Sequence, residues 1–145
     1  MKKTSFSKTL SANDVGATGT HQAGILVPKT EQELLAFLPR LDPHVKNPDA
    51  WIHCIDEQGL ERKFRFVYYN NRLHDANGTR NEYRLTYMTG YLKEMRAAEG
   101  DGLEFSCEDG AAVYTLRLVR KPEPVAQVPE GPMRIRITSG WRRVH

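Results

Sequence analysis

The sequence predicts a mainly β protein: a mostly antiparallel barrel or sandwich of about seven short strands, with two short helices. Three observations carry that expectation. Apolar and aromatic residues alternate with polar ones over several short stretches, which marks strands buried on one face. Turn-forming clusters such as Asp56-Glu57-Gln58-Gly59 and Asn77-Gly78 separate those stretches. At 145 residues the chain has the usual size of one domain, long enough to bury a core, and no internal repeat divides it.

The elements follow in order. Thr30, Gln32 and Glu33 form a helix start, Leu34, Leu35 and Leu38 supply an apolar stripe, and Pro39 ends it, giving a helix over 30–38. Branched and aromatic residues place strands over 51–57 and 62–70, joined through Asp56–Gly59 as a hairpin turn. The next strand opens near Arg80, with Tyr83, Leu85 and Tyr87 on one face and Arg80, Glu82 and Arg84 on the other. A second helix is expected over 90–98. Strands follow over 102–107, over 114–119 where Tyr114, Leu116 and Leu118 alternate with Thr115, Arg117 and Val119, and over 134–138 around Ile135 and Ile137. The segment 121–132, with Pro122, Pro124, Pro129 and Pro132, reads as a linker or a long crossing loop.

Composition narrows the function classes. Lys and Arg total 21 against 18 Asp and Glu, so no general polyanion coat is indicated. The charges are segregated, however. Arg117, Arg120, Lys121, Arg134, Arg136, Arg142 and Arg143 gather near the C-terminus, and such segregation permits a basic face. Cys54 and Cys107 lack CxxC partners, and the N-terminus MKKTSFSKTL lacks the apolar core of a signal peptide, so a reduced cytoplasmic protein is expected. No apolar run approaches the roughly 20 residues that cross a bilayer.

Catalytic patterns are weak. Gly16-Ala17-Thr18-Gly19-Thr20-His21 lacks the lysine of a phosphate-binding loop and the spacing of a dinucleotide fold. His53 and Cys54 are adjacent in a strand and therefore face opposite ways, which removes them as a metal pair. Asp49, Glu61 and Lys63 match the loose PD…ExK pattern of metal-dependent nucleases. The hairpin sets Glu61 beside Ile55, however, and leaves Asp49 roughly 20 Å away along the strand, where sharing a metal needs a few Å.

Two stretches carry more information. The segment LSANDVGATGTHQ, Leu10 to Gln22, is polar and glycine-rich and precedes Ile25-Leu26-Val27-Pro28. The segment from Tyr68 to Arg84, YYNNRLHDANGTRNEYR, closes one strand and opens the next. If the Tyr83-Leu85-Tyr87 face is buried, Arg80, Glu82 and Arg84 look outward. That row fits two accounts: a salt-bridged exposed strand face, or a reader of G·C pairs, since arginine matches guanine O6 and N7 while a carboxylate accepts from cytosine N4.

LSANDVGATGTHQAGILVP and YYNNRLHDANGTRNEYRLT resemble the two signature segments of the N-terminal effector-binding domain of EcoRII-type restriction endonucleases, in the DNA-binding pseudobarrel superfamily. The resemblance implies an open seven-stranded pseudobarrel whose two arcs grip the major groove of double-stranded DNA, at a CCWGG-type site where W is A or T. It implies no chemistry in this domain, no metal and no cofactor. The chain is read as a monomeric module excised from a larger enzyme, a monomeric relative included, in which a separate nuclease domain does the cutting. By the same resemblance, His21 in the first arc and Arg80, Glu82 and Arg84 in the second stand at positions of DNA contact. Asn13, Asp14, Thr18, Gln22, Asn71, Arg72, Thr79 and Asn81 flank them. The chain departs from the pattern where Gly78 replaces a lysine and Leu26 a tyrosine, which implies fewer base or phosphate contacts. Two rival readings remain, a self-contained nuclease using Asp49, Glu61 and Lys63 and a protein-interaction module.

Overall fold

A computed structural model describes residues 3–16, 24–121 and 140–144. Its centre is an eight-stranded sheet in the order β2-β5-β4-β3-β7-β6-β1-β8. The strands are β1 (Lys3–Thr9), β2 (Ile25–Val27), β3 (Asp49–Ile55), β4 (Glu61–Tyr69), β5 (Glu82–Thr86), β6 (Gly102–Glu108), β7 (Val113–Val119) and β8 (Trp141–Val144). All neighbours pair antiparallel except β3 and β7, which run parallel with Cys54 opposite Tyr114. The fold is thus the expected mainly β open pseudobarrel, with eight described strands and three short helices in place of seven and two. The sheet curls until its edges approach each other, and Trp141 on β8 donates from its indole Nε1 to the Leu26 carbonyl on β2 at 2.9 Å.

Alternation is what builds the core. On β4 the side chains of Phe64, Phe66 and Tyr68 are buried while Lys63 is exposed, and on β6 and β7 Leu103, Phe105 and Leu116 are buried in the same way. Phe64 touches Tyr91 and Phe105 edge-on at ring separations of 6.0 and 6.5 Å. Truncating such a ring costs about 3–5 kcal/mol. Helix α1 (Gln32–Phe37) sets Leu34 into this core and Phe37 between Phe6 and Tyr114, with the Tyr114 hydroxyl donating to the Phe37 carbonyl.

Some elements differ from expectation. The N-cap of α1 is Glu31 rather than Thr30 and makes no side-chain cap bond. The second helix runs Thr89–Glu94 and stops short of 98, where Arg96 takes a positive φ of 53°. A further helical turn, Asn71–His74, lies inside the loop expected between strands and is here α2, so that Thr89–Glu94 is α3. Strand β1 reads KTSFSKT and carries little apolar signal. It forms because β6 and β8 pair with it on both sides, and because the buried Ser5 and Ser106 hydroxyls bond each other at 2.7 Å. The expected strand over 134–138 and the proline-rich stretch beyond Lys121 lie outside the described residues.

Candidate nucleic-acid interface

The second arc is built on a buried asparagine. Asn70, 0% exposed, follows β4, and its Oδ1 accepts from the Asn47 amide at 2.7 Å while its Nδ2 donates to the carbonyls of Pro43 and Val45. The Asn47 side chain returns a bond to the Asn70 amide. From this anchor α2 turns outward. The arc then closes on itself: Asn71 Oδ1 accepts from the Arg80 amide at 2.8 Å and the Arg72 amide donates to the Arg80 carbonyl at 3.0 Å. Gly78 fits against that closure, since a Cβ there would lie 2.2 Å from the Asn71 carbonyl oxygen. Any side chain at this position therefore requires the turn to shift. Lys46 pairs with Asp75, Tyr68 donates from its hydroxyl to Asn81, and Thr79 is exposed.

The arc delivers the Arg80-Glu82-Arg84 row onto the outer face of the sheet. Tyr83 and Leu85 lie on the inner face, and Tyr83 stacks on Tyr68 at 4.2 Å. Two corrections apply here. Strand β5 begins at Glu82, so Arg80 and Asn81 precede it, and Tyr87, expected inside, is 67% exposed beyond the strand's end. The row is also less open than a solvated face, because the side chains of Arg80, Glu82 and Arg84 keep 35%, 26% and 20% of their exposure. Glu82 is gripped from both sides, Oε1 by Arg80 Nε at 3.0 Å and Oε2 by Arg84 Nε at 2.9 Å. Burial alone would raise its pKa, yet the bonds and charges of the two arginines hold its carboxyl below the usual range. Arg80 also lies over the Tyr69 ring at 3.8 Å, a cation–π contact that fixes its guanidinium.

The first arc joins the same face. The Ser11 amide donates to Asp14 Oδ2 and the Asp14 amide to Ser11 Oγ, a reciprocal pair that starts the turn. Asp14 also pairs with Lys8 Nζ at 3.1 Å, both side chains 9% exposed, so Asp14 shapes the arc from beneath while Asn13 is exposed at its surface. The arc returns at Gly24, whose φ of 89° and whose approach to the Leu85 carbonyl, 2.3 Å from any added Cβ, require glycine. Arg84 Nη1 donates to the Gly24 carbonyl at 3.1 Å, tying the Arg80-Glu82-Arg84 row to the base of the first arc. Thr18, His21 and Gln22 lie outside the described residues. Between the arcs is a concavity of about 550 Å³ that includes Asp14, Gly24, Arg65, Tyr69, Arg80 and Tyr87.

Several of these residues gave no sequence signal. Asn70 reads in the sequence as the last residue of the strand over 62–70, and its role depends on a partner 23 positions away. Arg65, which pairs with Asp49 at 2.6 Å, was legible only as an outward position of β4. The basic C-terminal segment also resolves in part: Arg117 pairs with Glu104, while Arg120 bonds Asp101 and the Met95 and Arg96 carbonyls behind α3. Arg120 is thus a structural strut. Arg134 and Arg136 lie outside the described residues.

The nuclease pattern does not converge. Glu61 pairs in register with Ile55 and Asp49 with Val67, at opposite ends of the β3–β4 hairpin. Glu61 bonds His53 Nδ1 at 3.2 Å, and Asp49 is held by Arg65. Among the described residues no group of three His, Cys, Asp or Glu side chains gathers to hold a metal, and no helix is long and apolar enough to cross a membrane.

Comparison with known proteins agrees with this architecture. The Arabidopsis FUS3-DNA complex superposes with a TM-score of 0.58 over 80% of this chain and 96% of that one, at 20% sequence identity, a likeness of fold. The type II restriction enzyme EcoRII of Escherichia coli is 38% identical over 85 residues, 56% of this chain, which spans about 20% of that enzyme's length. The family model described as restriction endonuclease EcoRII, N-terminal, matches residues 1–104, and these include both arcs and the Arg80-Glu82-Arg84 row. The chain therefore belongs to the family of EcoRII restriction endonuclease N-terminal domains.

Proposed function

We propose that this chain binds double-stranded DNA in a sequence-specific way, with the two arcs entering the major groove at a CCWGG-type site. It serves as the effector or targeting domain of a restriction endonuclease whose nuclease domain lies elsewhere in the parent protein. The observation that carries the reading is the Arg80-Glu82-Arg84 row, held rigid at the concavity between the arcs. The ion pairs within it run through the arginine Nε atoms, so the terminal amino groups of Arg80 are suited to guanine O6 and N7. A carboxylate fixed between two guanidiniums is suited to a cytosine amine. A row fixed before binding loses little side-chain entropy when the duplex arrives.

In this reading His21 adds a contact from the first arc. Asn13, Thr18, Gln22, Arg72, Thr79 and Asn81 flank the readers as phosphate or base contacts, while Asp14 and Asn71 hold the arcs in shape. The glycines of the first arc let backbone amides approach phosphates. Recognition of this kind needs donors, acceptors and charge and no metal. The test is retardation of a CCWGG duplex and of a random duplex by the chain with EDTA present, over a salt series. Retention that requires Mg2+, or equal affinity for both duplexes at every salt, would overturn the reading.

A further inference from the structure

Tyr87 sits where a cheaper residue would serve. It follows β5 and precedes the buried Met88, and the chain turns there through a φ of 66°. Glycine, asparagine or aspartate make such a turn at less cost than an aromatic residue. Backbone strain of this kind persists where the surroundings hold it and gathers at ligand-binding sites, and Tyr87 is 67% exposed. The left-handed turn reverses the alternation of Tyr83 and Leu85, carries the ring to the outer face and sets it 5.1 Å from the ring of Trp51, itself 47% exposed. Strand register places Arg65 between them, opposite Trp51 on one side and Thr86 on the other.

The aromatic pair adjoins the concavity between the arcs, where Tyr87 and Arg65 share the lining with Arg80. The Arg65 charge is already taken by Asp49 at 2.6 Å, so this corner offers flat apolar rings with polar tips rather than a bare cation. That chemistry fits the sugar-phosphate backbone: the rings cover deoxyribose, and the tyrosine hydroxyl and indole N–H donate to phosphate oxygens. We propose that Trp51 and Tyr87 form an aromatic shelf that holds the backbone of one DNA strand beside the two arcs, independent of base sequence. The inference rests on the DNA-binding reading and adds a third point of contact to it.

Acrylamide quenching tests it with the unmodified chain, because Trp51 is 47% exposed and the chain's second tryptophan, Trp141, only 7%. Excess CCWGG duplex and excess random duplex should each protect the quenchable tryptophan. Tyr87→Gly, which accepts the positive φ, and Trp51→Ala should each weaken both duplexes by the same factor, about three- to tenfold. Tyr87→Gly should keep the wild-type fold by circular dichroism, so that lost affinity is not lost structure. If the wild-type chain retards no duplex, the DNA-binding reading itself fails. If it binds while Trp51 stays fully quenchable and both variants bind like the wild type, the shelf is refuted and the reading stands. Weakening confined to one sequence would also refute a backbone contact.

Discussion

Replacing Glu82 with alanine separates base reading from surface salt bridging. The substitution removes the acceptor of both Arg80 Nε and Arg84 Nε and leaves two guanidiniums flanking an apolar gap. Since the three side chains keep between 20% and 35% of their exposure, the two ion pairs are worth about 0.2–1 kcal/mol each, and the variant should stay folded. On DNA the two accounts then diverge. If Glu82 accepts from a cytosine amine, its loss should cost about 1–3 kcal/mol on the cognate duplex, roughly 5- to 150-fold. Random duplex should bind more tightly, because a carboxylate no longer repels phosphate and each phosphate newly neutralised steepens the salt slope by about 0.9. Competition titrations of CCWGG and random duplexes at one salt concentration read the ratio directly, with a thermal melt of the variant as control. Equal tightening on both duplexes would refute base reading by Glu82.

Other outcomes follow from the same geometry. Gly78→Ala should push the turn off the Asn71 carbonyl and weaken cognate binding at least about tenfold with little loss of melting temperature, since the clash is confined to the exposed arc. Asn70→Ala leaves the Asn47 amide and the Pro43 and Val45 carbonyls without their buried partner, so urea melts should show a loss of about 2–4 kcal/mol. Acid should destabilise the fold through Asp56 and Asp101. Burial opposes their ionisation, but bonds from Arg62, Leu60 and Gln58 to Asp56, and from Lys121, Ala98 and Arg120 to Asp101, hold both carboxyls below the ordinary 3.8. A depressed folded-state value favours folding in full above the ordinary value, and that contribution is lost as pH falls through the folded value. Urea midpoints should therefore hold down to about pH 5 and drop as pH falls below the ordinary 3.8 through the folded values, and Asp101→Asn should flatten the drop.

The sequence revealed those parts of the molecule that are governed by local periodicity. Alternation located β3 to β7 within a few residues because one face of each strand is buried and the other is wet, as Phe64 and Phe66 against Lys63 illustrate. Strand β1 escaped because its stability comes from neighbours remote in sequence, with Lys3 opposite Glu108 and Ser5 opposite Val144. Tyr87 was misplaced because alternation continues through it on paper, while the backbone reverses there so that Met88 can enter the core. The Arg80-Glu82-Arg84 row was legible as residue types on one strand face. What could not be read was its preorganisation, which depends on Tyr69 beneath Arg80 and on Gly24 accepting from Arg84 across 60 positions.

The central claim is that this domain selects a base sequence without metal and without cutting. Selection from a pool of random duplexes in EDTA, followed by sequencing of the retained molecules, tests it most directly. The account predicts enrichment of CCWGG, with the G·C positions sharper than the central A or T, and loss of the sharpness at one G·C step in Glu82→Ala. A retained pool as random as the input, or one that forms only when Mg2+ is present, would contradict it.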